Sequence, residues 1–310
     1  MAPSVDPFRL DPRSVRHAFE RAAASYDASA VLQREVGQRM AERLVLVKLQ
    51  PAAILDAGCG TGDALSELSA RYPEAFLIGL DLAYAMLDSA RRRAVAAKAS
   101  ERSLLARLFG TRGTTRRDPA LVCGDACRLP VAGGTVDLVW SNLTLQWIND
   151  APTAFAEFHR VLRVGGLLMF TTFGPDTLKE LRGAFAGVDG ATHVSRFIDM
   201  HDIGDMLVHA GFADPVMDME TITLTYADAT TMMRELKAIG AHNATVGRPR
   251  GLTGRSRWTR VLAALEAFRR DGRLPATYEI VYGHAWKPEP RFAGDGRAIV
   301  RFERDRRARG

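Results

Sequence analysis

ILDAGCGTG, residues 54 to 62, joins an apolar strand to a turn carrying glycine at positions 58, 60 and 62. Glycine has no Cβ, so such a turn adopts positive φ and lets a ligand touch the backbone, while the helix that follows offers unpaired N–H groups. The stretch therefore predicts a cradle for a polar, partly anionic ligand. A dinucleotide fingerprint spaced G-x-G-x-x-G from Gly58 and Gly60 needs glycine at 63, and that position is Asp63. The turn thus departs from the NAD and FAD pattern.

Working outward, strands alternate with helices: strand 53–57, helix 62–72, strand 76–81, helix 83–97, strands 120–124 and 136–141, helix 151–163, strand 166–173 and helix 176–186. Alternation of this kind specifies a doubly wound, mostly parallel α/β sheet. Ahead of it, residues 11 to 47 carry apolar positions three and four apart (Val15, Ala18, Phe19, Ala22, then Val31, Leu32, Val36, Met40, Leu44), a helical lead-in. Beyond it come helix 199–210, strand 216–226, helix 229–240, an Arg- and Gly-rich loop 241–257, helix 258–271 and strand 277–286. The expected division is a lid at 1–50, an α/β domain at 51–228 with a mobile basic insertion at 99–119, a helical cap at 229–272, and a closing strand with basic tail at 273–310.

Composition narrows the class. The 310 residues are 47% hydrophobic and 25% charged, the usage of a globular protein. No signal-type or membrane-length apolar run appears, and Asp6 and Asp11 oppose an import peptide, so a cytoplasmic location without membrane association is expected. Cys59, Cys123 and Cys127 cannot all pair and form no C-x-x-C, which suits small buried residues in a reducing compartment and gives no metal site. With 42 Lys and Arg against 36 Asp and Glu, the positive excess clusters at 98–117, 248–260 and the tail; it suits an anionic partner or a merely solvated surface.

Asp56 followed by the glycines, D-x-G-x-G-x-G, resembles motif I of class I S-adenosylmethionine-dependent methyltransferases. The resemblance implies a Rossmann-like, seven-stranded, mostly parallel sheet closed by a late strand pair, with S-adenosyl-L-methionine as cofactor. It extends to three more stations. Asp81, with Leu82 beside it, ends the second strand nineteen positions after Gly62, where a carboxylate can accept from two ribose hydroxyls; its alternative role is to cap the helix near Ala83. Asp125 and the Ala126 backbone match the adenine station, the alternative being a turn aspartate. Asn142 leaves the fourth strand where it can hold the amino-acid end, and Gln146 and Trp147 follow to line the reaction chamber, Trp147 being equally readable as core.

An N-P-P-Y run after the fourth strand would mark methylation of nucleobase amines, and Ser141-Asn142-Leu143-Thr144 stands there instead. No base dyad is evident, which suits a nucleophile already ionised, such as a carboxylate with a pKa of about 4. AFERAAASYDASAVLQ near the start, FGPDTLKELR, HVSRF at 193–197 and LPATYEIVYGHAW at 274–286 are similar to the malonyl-acyl-carrier-protein O-methyltransferases of biotin synthesis over nearly the whole chain. That likeness implies esterification of the free carboxylate of a malonyl thioester, an acidic acyl carrier protein as partner met by the basic clusters, and no nucleic acid. It also implies Tyr26, Gln146, Trp147, Phe173 and His193 around the malonyl group, with Arg196 able to grip one carboxylate oxygen. Tyr26 and His193 have structural alternatives, and Thr177 with Glu180 reads as a capping box. The same FG-x-DTL-x-ELR run also resembles the methyltransferase-like arginine hydroxylase and assembly factor of respiratory complex I, and an RNA methyltransferase would suit the pI near 9.5.

Overall fold

The computed structural model describes residues 6–45, 47–109, 117–249, 251 and 254–290, with side chains left undescribed over 100–109. Among them seven strands form one sheet in the order β3-β2-β1-β4-β5-β7-β6. The strands are β1 (Ala53–Ala57), β2 (Phe76–Asp81), β3 (Ala120–Cys123), β4 (Val136–Ser141), β5 (Leu162–Phe173), β6 (Ala213–Tyr226) and β7 (Leu274–Trp286). The first five pair in parallel, whereas β7 runs antiparallel to both β5 and β6. The chain reverses direction between β1, which is followed by a crossover to β2, and β4 on its other side. A crevice opens outside the carboxyl ends of the strands at such a switch point, and the glycine turn lies there.

Side-chain alternation along the strands sorts the core onto two faces. Ile54, Leu138, Trp140, Leu167 and Met169 join one apolar cluster with Leu32, Val36 and Met40, and Leu55, Val139, Leu168 and Phe170 join the other with Phe155 and Phe158. Period-two alternation in buried parallel strands has this consequence directly. The helices packed on these faces are α3 (Val31–Leu44), α4 (Asp63–Arg71), α5 (Tyr84–Phe109), α6 (Ala151–Val161), α7 (Lys179–Ala186) and α8 (Met200–His209). Asp150 caps α6 by accepting from Thr153 N, with Pro152 in the first turn, and Asp199 caps α8 by accepting from His201 N.

Above the strand ends lie α1 (Pro12–Ala22), the short α2 (Tyr26–Ser29), α9 (Ala229–Ala238) and α10 (Arg255–Glu266). Three differences from the sequence reading have local causes. Helix α5 does not stop at 97 but continues to Phe109, through a segment rich in Ala, Leu and Arg, so part of the expected insertion is helix; residues 110–116 lie outside the described residues. Thr177 and Glu180 do not form a capping box. Thr177 Oγ1 donates to Glu279 O and accepts from Glu279 N, while Glu180 accepts from Thr277 N and Oγ1, so both side chains bind β7 and α7 starts after Leu178 without a side-chain cap. Finally, Cys123 is exposed rather than buried; all three cysteines are free.

Candidate active site

The turn after β1 takes φ of 86° at Gly58, 51° at Gly60 and 80° at Gly62. At Gly58 a Cβ would come within 2.1 Å of Thr144 Oγ1; at Gly60 it would meet nothing within 4 Å, so this residue opens onto the crevice. Gly62 has a different task from the one expected. It lines neither ligand pocket and faces α5, where a Cβ would lie 2.9 Å from that of Ala90.

A cavity of about 200 Å³ adjoins the turn, with Gly58, Gly60, Asp81, Leu82, Asp125 and Ala126 in its walls. Asp81 accepts from Gly60 N at 2.9 Å and from Ala83 N at 2.8 Å, so it braces the turn and caps the next helix while presenting its remaining lone pairs to the cavity. Burial raises its carboxyl to about 6, against those hydrogen bonds. Asp125 likewise closes its own turn, accepting from Cys127 N at 2.8 Å, and still faces the cavity. In both cases the structural role and the wall position coexist.

A smaller recess of about 60 Å³ lies next to it, lined by Asp56, Gly58, Gln33 and Asn142. Asp56 is 1% exposed, and its Oδ2, like Gln33 Oε1, is buried without a hydrogen-bond partner among the described residues. Burial first, then the fields of Asp81 and Asp63, pushes the Asp56 carboxyl well above its ordinary range. Two orphaned acceptors in one recess suit a cationic donor. Asn142 ties the recess together: its Nδ2 donates to Gln33 O at 2.9 Å and its Oδ1 accepts from Thr171 Oγ1 at 2.7 Å. Its amide is thus largely committed to protein partners, and it shapes the recess more than it reaches into it.

A larger chamber of about 410 Å³ lies beyond a partition of Phe19, Tyr26, Leu143 and Trp147, all four of which line both cavities. Trp147 meets Phe19 edge-on, centroids 5.1 Å apart, so it packs and walls at once. Leu143 holds φ at 49°, a left-handed conformation rare outside glycine, fixed by its N–H bonds to Thr171 O and Oγ1. Gln146 is tied at both ends, donating to Leu143 O at 2.6 Å and accepting from Thr172 Oγ1 at 3.2 Å. The Tyr26 hydroxyl makes no hydrogen bond among the described residues, and burial, reinforced by Asp81, Asp27 and Asp63, drives its ionisation upward.

Phe173 and His193 line the same chamber. Arg196 does not: it belongs to an outer groove, its guanidinium 5.5 Å from the Phe8 ring, whereas the other four residues of HVSRF line the chamber. Lys237, His242 and Asn243 enter the chamber unannounced, from a segment that sequence reading placed only in a cap. Burial, then Lys237 and Arg21, lowers the His242 pKa. The lid is seated by three further contacts. Glu20 accepts from Tyr84 N and Ala85 N, both at 2.9 Å, at the start of α5; Asp27 accepts from Thr61 Oγ1 at 2.6 Å and from Arg93 Nη2 at 2.7 Å; Asn149 bonds both the N and O of Leu10. Among the described residues no cluster of metal-ligating side chains exists, and no helix is long and apolar enough to cross a membrane.

The sheet order, the glycine turn and the paired cavities define a class I S-adenosylmethionine-dependent methyltransferase. A family profile described as "Methyltransferase domain" matches residues 55–170. The YcgJ protein of Bacillus subtilis shares the fold, with a TM-score of 0.54 at 15% identity over 81% of this chain and 98% of that one. The full length carries more. Malonyl-[acyl-carrier protein] O-methyltransferase of Laribacter hongkongensis is 59% identical over 96% of this chain and 98% of its own. The protein of the same name from Gallionella capsiferriformans is 56% identical over 96% and 98%. The chain belongs to the malonyl-[acyl-carrier protein] O-methyltransferase family.

The residues present fit the cofactor of that class. Asp56 Oδ2 and Gln33 Oε1 would hold its ammonium group, Asp81 its ribose hydroxyls, Asp125 and Ala126 its base, and the bare backbone of Gly60 its approach to the turn.

Proposed function

We propose that this chain methylates the free carboxylate of a malonyl thioester borne by acyl carrier protein, a step of biotin-precursor synthesis. One observation carries the reading: donor and acceptor cavities share the Phe19, Tyr26, Leu143 and Trp147 partition, so two ligands filling them abut at a largely apolar wall. When bound, the cofactor supplies a methyl group on a sulfonium, a leaving group that needs no acid. Transfer of that methyl to an ionised carboxylate oxygen, with the carbon–sulfur electron pair left on sulfur, would require no proton from the protein. A carboxylate with a pKa of about 4 is already ionised, so the protein's task is alignment and exclusion of water.

In this reading Tyr26, Gln146, Trp147 and His193 surround the malonyl group in the chamber that all four line. Gln146 and Trp147 are held by bonds to Leu143 and by the Phe19 ring, so their placement precedes binding. An acidic carrier would meet the exposed Arg255, Arg257 and Arg260 of α10, whose Trp258 reaches the chamber. Arg248 is less available, being bonded to Ser14 Oγ and Thr245 O. Three unpaired cysteines accord with a cytoplasmic setting.

Incubating the protein with methyl-labelled S-adenosylmethionine and malonyl carrier protein should give a base-labile methyl ester. The KM for the carrier-borne substrate should rise with salt while that for a free malonyl thioester stays flat, since screening weakens only the charged encounter. Folded protein that leaves the malonyl group unmodified and labels only arginine or RNA would overturn the assignment.

A further inference from the structure

His193 is held on two sides. Its Nε2 lies 2.7 Å from Asp189 Oδ1, and its ring stacks on Phe185 with centroids 3.8 Å apart and planes 12° from parallel. Its side chain is 11% exposed and lines the large chamber. With Nε2 used, Nδ1 is the nitrogen left for a ligand, and it makes no hydrogen bond among the described residues. Asp189 is fixed in turn: Oδ1 also accepts from Ala191 N at 3.1 Å, and Arg257 of α10 stands 3.7 Å from Oδ2. The His193 hydrogen bond, then that from Ala191 and the charges of His193 and Arg257, holds the Asp189 carboxyl below its ordinary range, so it stays a carboxylate.

We infer that Asp189 is a positioning residue for substrate selection: by binding Nε2 it holds His193 so that Nδ1–H can donate to one oxygen of the substrate's carboxylate. This rests on the reading that a free carboxylate enters the chamber. A carboxylate accepting from one imidazole nitrogen fixes the ring's orientation, and a ring carrying hydrogens on both nitrogens donates from both. Phe185 presents no competing charge on the stacked face. The other titratable side chains lining the chamber are Tyr26, Lys237, His242 and Tyr278, none of which hydrogen-bonds to the imidazole. A grip on one oxygen by His193 leaves the second free to accept the methyl group, which full neutralisation by a bidentate arginine would hinder. The same grip explains how the site tells acid from ester: the methylated product has no charge for Nδ1–H to meet, so it is released.

The test compares the free acid with its ester. For wild type, Asp189→Asn and His193→Gln, we would measure the KM of malonyl carrier protein, the inhibition constant of its monomethyl ester, and the Kd of S-adenosylmethionine. Loss of a hydrogen bond to a charged group corresponds to roughly 10- to 100-fold. Both variants should raise the KM of the acid by at least tenfold, and leave the ester constant and the nucleoside Kd within about twofold. A residue that merely braced the fold would weaken acid and ester together, and that result overturns the proposal, as does an unchanged KM in Asp189→Asn. If wild type itself fails to turn over the malonyl acid, the functional assignment falls first and this inference with it. Asp189→Glu, which restores the charge at a longer reach, should recover part of the acid preference.

Discussion

The glycine turn and the reaction chamber are built on opposite plans. At the turn, backbone within nine consecutive residues shapes the cradle, and at Gly58 and Gly60 what matters is the absence of a side chain. The chamber takes its walls from Phe19 through Tyr278, so they are assembled from segments remote in sequence. Under the proposed function, a cofactor shared by a whole class would be served by the local device, and the acyl group particular to this family would meet the dispersed one. The turn should therefore break under changes that add one atom, and the chamber should erode by degrees.

The largest effect falls on Gly58→Ala. The new Cβ would overlap Thr144 at 2.1 Å while φ stays at 86°, and the two penalties together come to about 2 to 4 kcal/mol of stability. Gly60→Ala has open space and only the conformational penalty, about 1 kcal/mol, with its methyl aimed into the nucleoside pocket. Urea unfolding should rank Gly58→Ala well below Gly60→Ala, whereas nucleoside titration should show both weakened. If the two variants unfold alike, the turn is not a device of close approach.

That contrast also marks what the sequence made legible. Alternation of strands and helices and the glycine turn could be read because each signal spans a few residues and its physics is local, while Asp81 and Asp125, singled out with the help of the family likeness, both line the cavity beside that turn. The family likeness supplied Tyr26, Gln146, Trp147 and His193, all of which the structure gathers around one chamber, but it could not separate Arg196, which points outward, from its neighbours. Lys237, Asn243 and Gln33 carry no signal of their own; they become chamber residues only because α3, α9 and the loop after α9 meet around one cavity. The capping-box pattern at Thr177 and Glu180 failed for the same reason, since β7, about a hundred residues later, offers those side chains better partners than their own helix. Gly62 looked like its fellow glycines and proved to be a packing residue against α5.

A second test sits on the side-chain part of the cofactor pocket. Burial raises Asp81 from 3.8 to about 6, so the cofactor-free protein binds a proton there that the unfolded chain has already lost. Between those pH values this group therefore favours the folded state at the acidic end, and that contribution is lost as pH rises through about 6. Ribose hydroxyls donate to the ionised carboxylate, so nucleoside affinity should be level above pH 6 and fall by up to about tenfold per pH unit below it. Asp81→Asn should lose roughly 1 to 3 kcal/mol of affinity at pH 8 and also lose the slope near pH 6. A wild-type binding curve flat from pH 5 to 8 by calorimetry would place the hydroxyls elsewhere.

The smallest expected effect lies where the two plans meet. Arg93 donates to Thr61 O in the glycine turn, to Asp63 at the start of α4 and to Asp27 in the lid, one residue from Tyr26, so it joins local cradle to dispersed chamber. Its pairs are partly exposed, with side chains 30% accessible at Arg93 and 54% at Asp27, and such pairs contribute at most about 1 kcal/mol each. Arg93→Gln should hence leave the fold nearly as stable as before. This latch, Glu20 and Asn149 are among the contacts that seat the lid over the nucleoside pocket, so weakening the latch speeds its release. Stopped-flow displacement should show nucleoside dissociation faster by about three- to fivefold, a change of 0.7 to 1 kcal/mol in barrier. Raising salt should give wild type part of the same acceleration, and Asp27→Asn added to Arg93→Gln should contribute less than it does alone, because both remove the same contact. Fully additive effects, or an unchanged dissociation rate, would mean that lid and turn act separately and that the comparison describes two independent halves.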